Sequence, residues 1–170
     1  MNNKQLWAPW RARYVQRDSE EHVAQECFLC DAGQRDQQDE AVLVVAVSEH
    51  AVVLLNRYPY SGGHLLVAPR RHAAHISELS HQEYTDVMDS VRKAVSAIET
   101  LLHPHGCNIG INLGAASGAG VPGHLHVHVV PRWEGDTNFM TVTADTRVIS
   151  GDLSETWRRV TDHYATRIDT

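Results

Sequence analysis

Three histidines, His124, His126 and His128, alternate with Leu125, Val127 and Val129 in the stretch G-H-L-H-V-H-V-V-P-R-W, residues 123–133. In an extended chain successive side chains point to opposite faces, so this spacing puts the imidazoles on one face and the aliphatic residues into a core. Imidazole titrates near neutral pH and attacks phosphorus well once a hydrogen bond to its other nitrogen fixes the tautomer. Three uses are open: a half-buried strand with a polar face, a catalytic metal held by three imidazoles, or a nucleophile flanked by two helpers. His126 is the natural nucleophile, with a same-face imidazole on each side. His128 is placed to contact the attacked phosphate or the leaving oxygen.

Two further motifs bear on the choice. The loop from Gly114 to Gly120 consists wholly of Gly, Ala and Ser and ends just before the histidine strand. Such turns leave backbone N–H groups unshielded and form concave anion sites. Phosphate donors beside aligned imidazoles suggest phosphoryl or nucleotidyl transfer, where positioning and charge stabilisation dominate catalysis. Cys27 and Cys30 form a C-x-x-C pair. A structural zinc takes four nitrogen or sulfur ligands, and with no second C-x-x-C two histidines must complete the set. An inert thiol pair and a redox pair remain alternatives, although the βαβ setting of a thioredoxin-like pair is absent.

The elements that must position these groups follow from periodicity. Ala41 to Val47 and Ala51 to Asn56 are β-rich runs separated by Ser48-Glu49-His50, which predicts an antiparallel hairpin. The breaker cluster R-Y-P-Y-S-G-G, Arg57 to Gly63, delivers a third strand, His64 to Pro69. Tyr84, Val87, Met88, Val91, Val95, Ile98, Leu101 and Leu102 recur every three or four residues, with Ser80 or Ser77 as cap. They predict one long amphipathic helix ending near His103-Pro104. Cys107 to Asn112 returns to strand, and Leu153, Trp157, Val160 and Tyr164 predict a C-terminal helix. The expected fold class is α+β, an antiparallel sheet with a long helix packed on it. Residues 1–26 read as an aromatic and basic arm, 27–135 as the body with its knuckle, and 136–170 as a C-terminal extension of the same domain.

Composition sets outer limits. The chain has 170 residues, enough to bury one core, and a formal net charge of −6, which argues against charge-driven binding of extended nucleic acid. It does not exclude a small phosphorylated ligand. No apolar run is long enough to span a bilayer, and the first residues lack a signal-peptide core, so a soluble cytoplasmic protein with no membrane partner is expected. Three cysteines in that setting are not a disulfide framework.

The segments N-R-Y-P-Y-S-G-G-H-L-L-V-A-P-R-R-H and G-H-L-H-V-H-V-V-P-R-W together resemble the histidine triad superfamily of nucleotide hydrolases and transferases. Its signature alternates histidine and apolar residues as residues 124–130 do. L-W-A-P-W-R, C-F-L-C, N-I-G-I-N-L-G and P-R-W-E-G-D-T-N-F-M resemble a bacterial branch described as diadenosine tetraphosphate phosphorylases or hydrolases. The resemblance implies a histidine-triad fold, a homodimer, and cleavage of dinucleoside polyphosphates through a nucleotidyl-His126 intermediate. It further implies that His128 contacts phosphate, that His64 supports it, and that Asn56 contacts the ribose. Asn112, Gly114, Ser117 and Gly118 are the expected substrate-binding neighbours. A structural zinc is implied at Cys27, Cys30, His72 and His124, with His75 the competing third ligand by spacing. Where another branch carries a glutamine before the triad, this chain has Asn112 and Ser117, which leaves water or inorganic phosphate as acceptor. Phosphoramidate or acyl-nucleotide hydrolysis, and nucleotide binding without turnover, are the alternative functions.

Overall fold

Runs of valine and leucine build the centre of the molecule. The computed structural model describes residues 27–136 and 152–166. The expected N-terminal arm, and the part of the C-terminal extension between these spans, lie outside the described residues. Five strands, β1 (Val44–Val47), β2 (Ala51–Leu55), β3 (Leu65–Pro69), β4 (Gly106–Ile111) and β5 (Val127–Arg132), form an antiparallel sheet in the order β1-β2-β3-β5-β4. The hairpin β1–β2 is present, but β1 starts later than the run from Ala41 suggests. Asp39 Oδ1 accepts the Ala41 N–H at 2.9 Å and Leu43 takes a φ of +62°, so a turn consumes the first residues of the run.

Helix α1 (Phe28–Gly33) lies on one face of the sheet, whereas α2 (His81–Leu102) and α3 (Leu153–Thr166) cover the other. Alternation along the strands supplies both cores. Val53, Leu55, Leu65, Val67, Val127 and Val129 meet Val87, Val91, Ile98 and Val160 on the two-helix side, while Val44, Val52, Leu54, Leu66 and Ala68 meet Leu29 and Ala32. Helix α2 begins at a capping box in which Ser80 accepts from the Glu83 N–H and Glu83 accepts from the Ser80 N–H. It ends where His103 enters the left-handed region ahead of Pro104. The predicted C-terminal helix is α3, whose Trp157 indole N–H donates to the Val44 carbonyl at 2.9 Å.

The short helix α1 carries the C-x-x-C pair and is held by Arg70 at the end of β3. That guanidinium donates to the carbonyls of Gly33 (2.8 Å), Arg35 (3.1 Å) and Ser48 (3.3 Å). The backbones approach so closely that a Cβ on Gly33 would lie 2.7 Å from the Arg70 carbonyl oxygen. Arg71 makes a two-point ion pair with Glu83 at 2.7 and 3.0 Å, which fastens the segment before His72 to the start of α2. The Arg71 hydrogen bonds, with the Ser80 N–H, hold the Glu83 carboxyl down at about 2.

Candidate active site and metal centre

The histidine stretch is only partly regular strand. β5 begins at Val127, so the expectation that all three triad residues sit on one paired strand is corrected. The cause is Pro69: the β3–β5 register runs Leu65↔Val129, Leu66↔His128, Val67↔Val127, and Pro69 has no N–H with which to extend that ladder. Leu125 instead donates its N–H to the Ala73 carbonyl at 2.6 Å. His124 lies at a bend, its N–H donating to the Val121 carbonyl at 3.2 Å, and His124 and His126 are 1% and 4% exposed.

A backbone group claims one nitrogen of His124, His126 and His64, and His64 in turn sets the tautomer of His128. His124 Nε2 donates to the Pro69 carbonyl at 2.9 Å, leaving Nδ1 as a lone-pair donor. His126 Nδ1 donates to the His124 carbonyl at 2.8 Å, leaving Nε2 as the lone-pair nitrogen. His64 Nδ1 accepts the Tyr60 N–H at 3.1 Å and faces Asn56 Nδ2 at 3.3 Å, so its proton is on Nε2. That proton is donated to His128 Nδ1 at 3.0 Å, and His128 therefore carries its own proton on Nε2. The His126 and His128 rings meet edge to face, with centroids 4.9 Å apart.

Burial disfavours the charged form of His64, His124 and His126. His64 is pushed down to about 3 by burial first and then by the neighbouring His128 and His126. Burial also lowers His124, to about 4, against the opposing bond to the Pro69 carbonyl. His126 is lowered by burial and partly restored by its bond to the His124 carbonyl. A neutral imidazole with a free lone pair is the form a nucleophile needs.

The other assembly forms on the α1 side. Cys27, at the N-cap of α1, and Cys30, in its first turn, meet His72 and His124, and their ligand atoms all lie within 4.8 Å of one another. Cys27 Sγ is 3.4 Å from His124 Nδ1, Cys30 Sγ is 3.5 Å from it, and Cys30 Sγ is 3.1 Å from His72 Nδ1. Sulfur and nitrogen around a tetrahedral zinc stand about 3.5 Å apart, so the cluster has the donors and nearly the spacing that such an ion requires. Without a cation, burial and the adjacent Cys27 push the Cys30 thiol up to about 11. A bound cation would reverse that preference. Among the described residues no metal-holding group includes His75, His126 or His128, so the three triad imidazoles do not converge on one ion. The cysteine pair opens the short helix α1, and among the described residues it has no βαβ surroundings of the thioredoxin-like kind.

The remaining expected residues are distributed as follows. Ile111 pairs with Val127, so Asn112 leaves β4 at the end of the sheet where His126 leads into β5, and the loop carrying Gly114, Ser117 and Gly118 connects the two. Ser117 Oγ donates to the Gly114 carbonyl at 2.7 Å. Asn56, expected at a ribose, is engaged within the protein: Oδ1 accepts the Tyr58 N–H at 2.9 Å and Nδ2 faces His64. Sequence reasoning overlooked Tyr60, whose N–H sets the His64 tautomer. An aromatic residue inside a Pro/Ser/Gly loop, where no periodicity explains it, is the signal that was available.

The HIT domain model matches residues 37–135. An AP-4-A phosphorylase of Mycobacterium tuberculosis is 37% identical over 167 residues, covering 95% of this chain and 85% of that protein. An asymmetrical bis(5'-nucleosyl)-tetraphosphatase of Schizosaccharomyces pombe is 38% identical over 86 residues, 51% of this chain and 47% of that one. A zinc-bound histidine triad family protein from Mycobacterium smegmatis superposes with a TM-score of 0.66 at 24% identity, covering 85% and 96% of the two chains. The chain belongs to the HIT domain family, the histidine triad proteins, and has their α+β fold.

Proposed function

We propose that this protein cleaves dinucleoside polyphosphates such as diadenosine tetraphosphate, with His126 as nucleophile. The observation that carries the reading is the 2.8 Å bond from His126 Nδ1 to the His124 carbonyl, which leaves the Nε2 lone pair for attack. In the first step Nε2 bonds to the α-phosphorus and the P–O bond to the rest of the polyphosphate breaks, releasing a nucleoside polyphosphate anion. His128, protonated on Nε2, donates a hydrogen bond to the phosphate or leaving oxygen, and His64 holds it in that tautomer. In the second step inorganic phosphate or water attacks the same phosphorus and the N–P bond breaks. Asn112, Gly114, Ser117 and Gly118 line the nucleotide path, and Asn56 serves the ribose as well as His64. Phosphorolysis is the favoured outcome, because a relative that spans nearly the whole chain is an AP-4-A phosphorylase.

Cys27, Cys30, His72 and His124 hold a structural zinc, which when bound ties α1 to the histidine stretch and takes no part in bond making. The subunit acts as a homodimer: β4 is one of the two edge strands of the sheet, and Ile109 and Leu113 on and beside it are 52% and 43% exposed. We place it in the cytoplasm, where a paired-thiol ligand set stays reduced.

The deciding experiment is product analysis on diadenosine tetraphosphate with and without inorganic phosphate. ADP plus ATP formed only with phosphate supports phosphorolysis. AMP plus ATP without it means hydrolysis, and no cleavage under either condition sinks the reading.

A further inference from the structure

The segment Arg57 to Gly63 is more than a connection between β2 and β3, because it brings Tyr60 onto the two imidazoles that flank the reaction centre. The Tyr60 ring centroid lies 4.9 Å from that of His64 and 5.8 Å from that of His128, with planes inclined by 32° and 25°. Its backbone N–H donates to His64 Nδ1 at 3.1 Å. One residue therefore grips the His64–His128 pair twice, through its main chain and through its ring. Packing into the core does not explain the ring, since Tyr60 is 41% exposed.

The loop that carries Tyr60 is itself firmly set. Asn56 Oδ1 accepts the Tyr58 N–H at 2.9 Å, and the Ser61 carbonyl accepts the His64 N–H at 3.2 Å. Gly63 has a φ of +81°, which favours glycine, and a Cβ there would meet the Leu102 side chain of α2. Tyr60 is thus presented from a fixed base, and its ring shields the 3.0 Å hydrogen bond from His64 Nε2 to His128 Nδ1 on one side. That bond determines which nitrogen of His128 offers a proton to substrate.

We propose that Tyr60 is a positioning residue: it holds the His64–His128 pair in register and dry, so that His128 presents Nε2–H to the phosphate. This rests on the nucleotidyl-transfer reading of the site. Its action goes through the imidazoles and requires the ring, not the hydroxyl.

The test compares Tyr60→Phe, Tyr60→Leu and Tyr60→Ala in the full chain, each first checked for an unchanged melting profile. Tyr60→Leu carries the test should Tyr60→Ala fail to fold. With diadenosine tetraphosphate and phosphate, Tyr60→Phe should stay within about twofold of the parent, whereas the other two lose about 10- to 100-fold in kcat with little change in KM. In nitrogen-resolved NMR of the histidine side chains, the His64 Nε2–H proton should remain observable in the parent and in Tyr60→Phe, and exchange away with water in Tyr60→Leu and Tyr60→Ala. An unchanged kcat in the folded Leu and Ala variants, a rise in KM alone, or a His64 proton that stays observable in them overturns the proposal. Because the NMR measurement needs no substrate, it decides the positioning role even if the parent protein cleaves no dinucleotide.

Discussion

His124 and His126 are two residues apart, of the same type and almost equally buried, yet they face different chemistry. His124 gives its Nε2 proton to the Pro69 carbonyl and turns Nδ1 toward the cysteines; His126 gives its Nδ1 proton to the His124 carbonyl and is left with Nε2 as its lone-pair nitrogen. On the function proposed above, main-chain carbonyls divide a bracing imidazole from a reactive one. An imidazole becomes ligand or nucleophile according to which nitrogen the backbone claims.

The sharpest way to break this comparison is to remove the reactive member. His126→Ala is expected to reduce turnover of diadenosine tetraphosphate by about 10⁴-fold or more. Bound zinc, measured on the same sample by atomic absorption, should be unchanged. A variant that keeps normal turnover, or that also loses its metal, would erase the distinction between the two positions.

The converse change acts on the bracing end. Cys27→Ser or Cys30→Ser should abolish stoichiometric zinc and lower the melting temperature by roughly 10 °C, because metal binding contributes directly to folding stability. His75→Ala, by contrast, should leave zinc content unchanged, since His75 lies outside the ligand cluster.

Acid should discriminate the ends further. His64 is held near 3, below its unfolded value, so between about pH 6.5 and 3 the unfolded chain binds a proton that the native one does not. Stability therefore falls as pH falls through that window, by up to about 1.4 kcal/mol per pH unit for this group. Urea titrations at stepped pH should show the slope in the parent and a shallower one in His64→Asn. Equal slopes would remove His64 from the acid response.

The smallest effect expected is at the clamp behind the cysteines. Gly33→Ala would bring a methyl within 2.7 Å of the Arg70 carbonyl, and the forced shift should cost about 1–3 kcal/mol in urea unfolding. Turnover per folded molecule should change little. A neutral substitution would show that the contact between α1 and β3 is looser than its geometry implies.

These details differ in how far the residue order announces them. Helix α2 was legible because its apolar spacing and the Ser80–Glu83 box act within one turn of chain. Cys27, Cys30, His72 and His124 were named together only through family resemblance, and the structure gathers them into one cluster. The late start of β5 was not legible, because it depends on a proline in a strand far away in sequence. The tautomers were equally hidden. They follow from carbonyls of Pro69 and His124, which every residue type has, and from the N–H of Tyr60, which every type but proline has.

The separation along the chain between the metal-site residues sets an order of events. Cys30 and His72 are 42 residues apart, whereas Cys27 and His124 are separated by 97. Loop-closure entropy grows so slowly that the longer span costs less than about 1 kcal/mol extra, so the distance is a matter of time more than of energy. On a ribosome the two cysteines and His72 emerge long before their last partner. The residue that completes the set arrives on the same few peptide units that carry His126, so the knuckle cannot close until the reactive stretch itself has been made.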